Sequence, residues 1–284
     1  MIMNKKPWLS HYDPGVPEEI PIPELSLVAL LQNAVDTFGM SVCTIYEGET
    51  LTYQEIDHLS DRIARYLVSI GLKKGERVGI LLPNTPAFVI SYYGILKASG
   101  VVMALNPGYR PPEIQALAKE SGVRVMILPE AVYPKIKALQ AETELDNLVV
   151  VGGAKLPIEQ GDLAWDVLME QFDNNRPIDV KIGPEDPAVF QYSGGTTGSP
   201  KCAVGLHRNL VANVHQFDHW LVNTETGQET VLVAIPAYHV YGMVLGVNLA
   251  IKMGARMVLI PNPMDLDGLL AAIQEYQASI FPGV

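Results

Sequence analysis

The sequence predicts an α/β fold built on mostly parallel sheet. Short runs rich in Val, Ile and Leu alternate along the chain with longer segments whose apolar residues recur every three or four positions. The short runs are almost continuously apolar, as strands covered on both faces are. No internal repeat or low-complexity tract breaks the alternation. Hydrophobic residues make up 48% of the 284 positions and charged ones 18%, which excludes intrinsic disorder and supplies a large core.

The elements follow in order. Residues 42–46 and 50–53 flank Glu47-Gly48-Glu49 and form a hairpin. From Tyr53 to Ile70, the residues Ile56, Leu59, Ile63, Leu67 and Ile70 mark one face of a helix that Gly71 ends. Strands are predicted over 77–82, 101–105, 123–128, 147–151, 188–192, 231–235, 255–260 and 278–281. Helices are predicted over 86–99, 111–121, 209–221 and 265–276. The polar stretch 171–187 carries Pro177, Pro184 and Pro187 and little periodicity, so it is read as a linker. It separates a first α/β block, 1–180, from the start of a second, 181–284.

Residues 231–251 contain no Asp, Glu, Lys or Arg, which raises the question of a membrane span. Pro236, His239, Gly242, Gly246 and Asn248 interrupt the run, and a buried strand, loop and helix fit it better. At most a peripheral membrane contact is expected. The last residues, Phe281-Pro282-Gly283-Val284, follow a buried-type strand without a covering helix. The chain is therefore expected to be a piece of a longer protein, and the edge at 278–281 to favour self-association.

Lys and Arg total 20 against 31 Asp and Glu, a net charge of −11, so the chain has no global attraction for nucleic acid or an anionic membrane. Cys43 and Cys202 form neither a disulfide framework nor a zinc set. The basic start lacks the apolar region of a signal peptide, and the cytoplasm is the default location.

One segment carries chemistry: Tyr192-Ser193-Gly194-Gly195-Thr196-Thr197-Gly198-Ser199-Pro200-Lys201. It follows a predicted strand and precedes a predicted helix. Gly194, Gly195 and Gly198 let backbone N–H groups turn toward one centre. Ser193, Thr196, Thr197 and Ser199 add hydroxyls, and Lys201 adds a positive charge. That is a polyphosphate cradle. It has neither the Gly-Lys-Ser/Thr of a Walker A loop nor the glycine spacing of a dinucleotide fingerprint.

This segment resembles the AMP-binding signature of the acyl-adenylate-forming superfamily: acyl-CoA synthetases, peptide-synthetase adenylation domains and firefly luciferase. Leu51-Thr-Tyr-Gln-Glu-Ile56 is similar to that family's first core motif, and Leu96-Lys-Ala-Ser-Gly-Val-Val-Met-Ala-Leu-Asn-Pro107 to its second. His207-Arg208-Asn209 and Pro236-Ala-Tyr-His239 with Gly242 fall in the family's order. Pro7-Trp-Leu-Ser-His-Tyr-Asp-Pro-Gly-Val-Pro-Glu-Glu19 resembles the opening of bacterial long-chain fatty acid CoA ligases. Cys202 departs from the family, which usually has glycine there.

The resemblance implies two parallel-sheet subdomains with covering helices, an acyl-CoA synthetase-like N-terminal domain whose second subdomain is cut short. It implies a two-step reaction. A carboxylic acid attacks the α-phosphorus of ATP, giving acyl-AMP and pyrophosphate; the thiol of coenzyme A then displaces AMP. By the same resemblance, residues 193–201 hold the β- and γ-phosphates, Mg2+ shares their charge, and Lys201 and His239 are catalytic. His239 is expected beside the acyl carboxylate, with Gly242, Met243 and Gly246 as the wall of the acyl pocket. The family's adenine, ribose and coenzyme A contacts lie beyond residue 284, so this piece alone is expected to be inactive.

Other features are read as structural. His215 and His219 could share one metal, but no third ligand is expected, because Asp218 is placed off their face; no metal site is predicted. Tyr92, Tyr93, Trp8, Trp165 and Trp220 are read as core or interface. Gly-x-Ser-x-Gly is absent, so no serine hydrolase is signalled. The readings left open are an adenylating enzyme for aryl, short-chain or amino acids, a non-catalytic nucleotide-binding module, and a fragment that binds nothing.

Overall fold

The computed structural model describes residues 6–152, 157–173, 178, 180–193 and 201–283. Helix α1 (Leu27–Phe38) begins at Ser26, whose hydroxyl accepts the Ala29 N–H at 3.1 Å, and buries the stripe Leu27, Leu30, Leu31 and Ala34. The hairpin of β1 (Val42–Tyr46) and β2 (Glu49–Thr52) turns through Glu47 and Gly48. Both have left-handed φ, 50° and 85°, as a two-residue turn of this twist requires. Helix α2 (Tyr53–Ser69) starts on a capping box, in which the Thr52 N–H donates to Glu55 Oε2 at 2.7 Å and the Glu55 N–H to Thr52 Oγ1 at 3.2 Å.

The chain then alternates β3 (Arg77–Ile80), α3 (Pro86–Lys97), β4 (Val101–Ala104), α4 (Pro111–Ser121) and β5 (Val125–Pro129). Next come α5 (Tyr133–Lys137), β6 (Asn147–Val151), β7 (Leu163–Ala164) and α6 (Trp165–Gln171). After the linker come β8 (Pro187–Ser193), β9 (Lys201–Leu206), α7 (His207–Trp220) and β10 (Thr230–Val233). A π-helical segment (Gly242–Asn248) runs into α8 (Leu249–Met253), followed by β11 (Arg256–Leu259) and α9 (Leu266–Tyr276). The charge-free stretch is thus a strand, a loop and a buried helix, and no helix among the described residues is long and apolar enough to cross a membrane.

Two sheets result. The larger runs β7-β6-β5-β3-β4-β8-β9 and is parallel except for the antiparallel β8–β9 pair. The smaller runs β10-β11-β1-β2, with β1 parallel to β11 in the register Thr44–Met257. The division expected at residue 180 does not follow the sheets. β8 joins β4 in the larger sheet, while the early β1–β2 hairpin completes the smaller one.

One core joins the facing sides of both sheets. It takes Val78, Ile80 and Val125 from the larger, Val231, Val233 and Met257 from the smaller, and side chains of α1, α2, α3 and α8 between them. Helix α3 is buried from Ala87 to Lys97, so its uniformly apolar sequence suits a helix enclosed on every side. The alternate strand residues Met103, Met126, Leu128 and Leu148 face a second core under α4 and α5.

Five elements escape the sequence reading: α1, α5, α6, and strands β7 and β9. Strand β9 is a sheet edge with exposed Lys201, Ala203 and Val204, and its short apolar run, Cys202-Ala-Val, is broken by Gly205. The strand expected over 278–281 contributes one parallel bridge, Val231 to Ile280.

Candidate functional site

Strands β8 and β9 pair antiparallel, with Ser193 opposite Lys201 at the open end of the ladder. The glycine-rich segment joins these two positions. Gly194, Gly195, Thr196, Thr197, Gly198 and Ser199 lie outside the described residues. Ser193 ends β8 and Lys201, exposed, begins β9. Because side chains alternate along a strand, Lys201 shares its face with Ala203, which lies opposite Gln191.

Gln191 and Ala203 line a cleft of about 410 Å³ at the carboxyl ends of β4 and β8. Ala104, Leu105, Asn106 and Tyr109 follow from β4; Tyr238, His239 and Val240 close it from the loop after β10. Parallel sheets bind ligands at such strand ends. The structure therefore brings His239 to the same cleft as the flank of the glycine-rich segment.

His239 is exposed. Its Nδ1 accepts the Tyr241 N–H at 3.3 Å, which leaves the proton of the neutral ring on Nε2 as a donor. Burial pushes the Tyr192 hydroxyl up to about 12, and burial followed by Tyr109 raises Tyr238. Both phenols keep their protons at neutral pH. The wall also carries a buried acceptor, Gln191 Oε1, without a hydrogen-bond partner among the described residues. The cleft thus offers the Nε2–H of His239 as a neutral donor beside a partly apolar space, which suits a carboxylate or phosphate oxygen whose charge must be matched without full hydration.

Gly242 and Met243 are placed differently from the expectation of an acyl wall. Both are buried in the core and neither is among the cleft's lining residues. A Cβ on Gly242 would overlap the Pro236 carbonyl oxygen, and one on Gly246 would meet Val233 Cγ1 at 2.9 Å. Gly246 serves close helix–strand packing, and Gly242 the close approach of the helix to the loop after β10.

The sequence reading missed Asn106, Tyr109, Gln191 and Ala203. Gln191 and Ala203 belong to the segments flanking the glycine-rich loop, and a β8–β9 hairpin would have paired them. Asp218 also departs from its reading. Side-chain ligand atoms of His215, Asp218 and His219 all fall within 4.8 Å of one another, since residues three and four apart share a helix face. Lys252 Nζ already sits 3.0 Å from Asp218 Oδ2, and His219 Nδ1 lies 2.8 Å from the His215 carbonyl. Cys202 is half-buried and its thiol is raised, chiefly by burial, which disfavours a reactive thiolate.

Comparison with known proteins returns one family. The description "AMP-binding enzyme" matches residues 31–284. A long-chain-fatty-acid–CoA ligase of Bacillus subtilis (strain 168) is 32% identical over 99% of this chain and 54% of its own length. Among solved structures, a long-chain-fatty-acid-CoA ligase from Archaeoglobus fulgidus superposes with a TM-score of 0.80 at 25% identity, over 95% of this chain and 53% of that one. An anthranilate CoA ligase in complex with anthranoyl-AMP reaches a TM-score of 0.81 at 21% identity, over 92% and 50%, a likeness of fold. The chain spans about half the length of the curated relatives it matches.

Proposed function

Because the chain belongs to the AMP-binding enzyme family, we propose that it is the N-terminal part of an ATP-dependent, AMP-forming long-chain fatty acid–CoA ligase. The observation that carries this is the convergence of His239 with the β8–β9 end that flanks residues 194–200 on one cleft. In this reading, residues 193–201 bind the β- and γ-phosphates of ATP. Lys201 offsets the charge that builds on departing pyrophosphate. The Nε2–H of His239 holds the acyl carboxylate for attack on the α-phosphorus. No carboxylate among the described residues lines the cleft, so Mg2+ would enter on the phosphates rather than on a protein cage here. Coenzyme A then accepts the acyl group. The buried placement of Gly242 and Met243 supports a scaffold role beneath the His239 loop.

A second acid class has one observation in its favour: Tyr109, Tyr192 and Tyr238 line the cleft, and aromatic rings stack on aryl acids. ATP–pyrophosphate exchange separates the two readings. The assay uses the chain as given and the chain extended through its own reading frame, each offered palmitate, octanoate and benzoate. The expected result is palmitate-dependent exchange by the extended chain and little or none by the shorter one. Preference for benzoate moves the assignment to aryl acids, and exchange independent of any acid removes it.

A further inference from the structure

Between β10 and the helical turn that begins at Val240, residues 234–239 run without regular secondary structure. Pro236 has no N–H to give, and backbone this deep must pair its polar groups with side chains. The partner comes from the other sheet. Asn84, 4% exposed, stands in the turn from β3 to α3. Its Nδ2 donates to the carbonyls of Val233 at 2.9 Å and Ile235 at 3.0 Å, and its Oδ1 accepts the Ala237 N–H at 2.8 Å. Two carbonyls on one side and an N–H on the other fix which way the amide points.

The held segment ends at His239. The His239 N–H donates to the Pro236 carbonyl at 3.0 Å, and the Met243 N–H donates to the His239 carbonyl at 2.9 Å. The imidazole is thus two residues from the Ala237 N–H that Asn84 receives, and its own backbone is pinned by the next turn.

We propose that Asn84 is a positioning residue: it locks residues 233–237 so that His239 Nε2–H faces a carboxylate in the cleft. This rests on the reading of His239 given above. Alanine at 84 leaves the Ile235 carbonyl and the Ala237 N–H without their side-chain partner. Aspartate keeps the shape and the acceptor, but sets a carboxylate against two carbonyl oxygens.

Hydrogen–deuterium exchange on the chain as it stands tests the lock, comparing wild type with Asn84→Ala, Asn84→Asp and the remote control Ile127→Val. Peptides over 234–241 are expected to exchange about tenfold faster or more in both Asn84 variants, with α4 unchanged and the control at the wild-type rate. Wild-type protection in Asn84→Asp would mean that shape alone suffices, and overturns the proposal. Should Asn84→Ala fail to fold, Asn84→Ser keeps one donor and one acceptor, and is expected to show an intermediate rate. The functional half is read separately, from the NMR signal of the His239 ring as dodecanoate is added. Saturable movement in wild type, at about tenfold higher dodecanoate in Asn84→Ala, supports the role. A wild-type ring that ignores dodecanoate overturns the carboxylate reading and the positioning role with it, while the exchange rates still report the lock itself.

Discussion

His207 shows how one buried side chain makes the fold sensitive to acid. It is 1% exposed at the start of α7, and its Nδ1 accepts the Leu27 N–H at 3.1 Å, so a neutral ring ties α7 to α1. Burial lowers its pKa to about 4, while the charge of Asp186 opposes that shift and Lys74 adds to it. An unfolded histidine titrates near 6.5. Between those values the unfolded chain binds a proton that the folded chain refuses. The contribution is therefore complete above pH 6.5 and is lost progressively as pH falls toward 4. Urea unfolding at pH 7.5 and pH 5 is expected to show wild type losing about 1–2 kcal/mol more than His207→Gln. Equal losses would show that another group carries the acid sensitivity.

At the scale of elements, glycine sets how closely two segments approach. A Cβ on Gly94 would lie 2.5 Å from Ile63 Cβ and 2.9 Å from the Ser60 carbonyl, at the contact of α3 with α2. Beside it, Lys97 bridges Asp57 at 2.6 Å and Asp61 at 2.7 Å across the same pair of helices. Gly94→Ala is expected to destabilise by about 1–3 kcal/mol, read as a lower urea midpoint with unchanged slope. Gly242→Ala is expected to cost at least as much, because all the nearest atoms its Cβ would meet are backbone atoms of Ile235 and Pro236.

The same scale shows what the sequence discloses. Capped or periodic helices such as α2, and covered strands such as β6, carry their signal within a few residues. The stripe of α1, Leu27, Leu30, Leu31 and Ala34, carries the same signal. Strand β9 is different: its apolar run is short and broken by Gly205, and its pairing is announced only by Ser193 meeting Lys201 across the glycine-rich segment. Parallel pairing of β1 with β11 leaves no local trace, since Thr44 and Met257 lie far apart in the chain. In the site, the residue types for phosphate and carboxylate binding were legible as a motif. The cleft's second wall was not, because Asn106 and Tyr109 reach it through sheet order alone.

Across the whole molecule, the sheets interleave early and late parts of the chain, and the shared core makes one cooperative unit of both. Residues 181–283 expressed alone lack β1, β2 and helices α1, α2 and α3. They are expected to give no cooperative thermal transition by circular dichroism; a sharp one would show an independent domain.

The central claim is that one cleft handles both the phosphates and the carboxylate, through Lys201 and His239. Its most direct test is pyrophosphate-exchange kinetics of the extended chain with palmitate, comparing wild type, Lys201→Ala and His239→Ala. The account predicts that Lys201→Ala loses about tenfold or more through ATP or pyrophosphate, and that His239→Ala loses chiefly through the KM for the acid. Wild-type kinetics in both variants would contradict it.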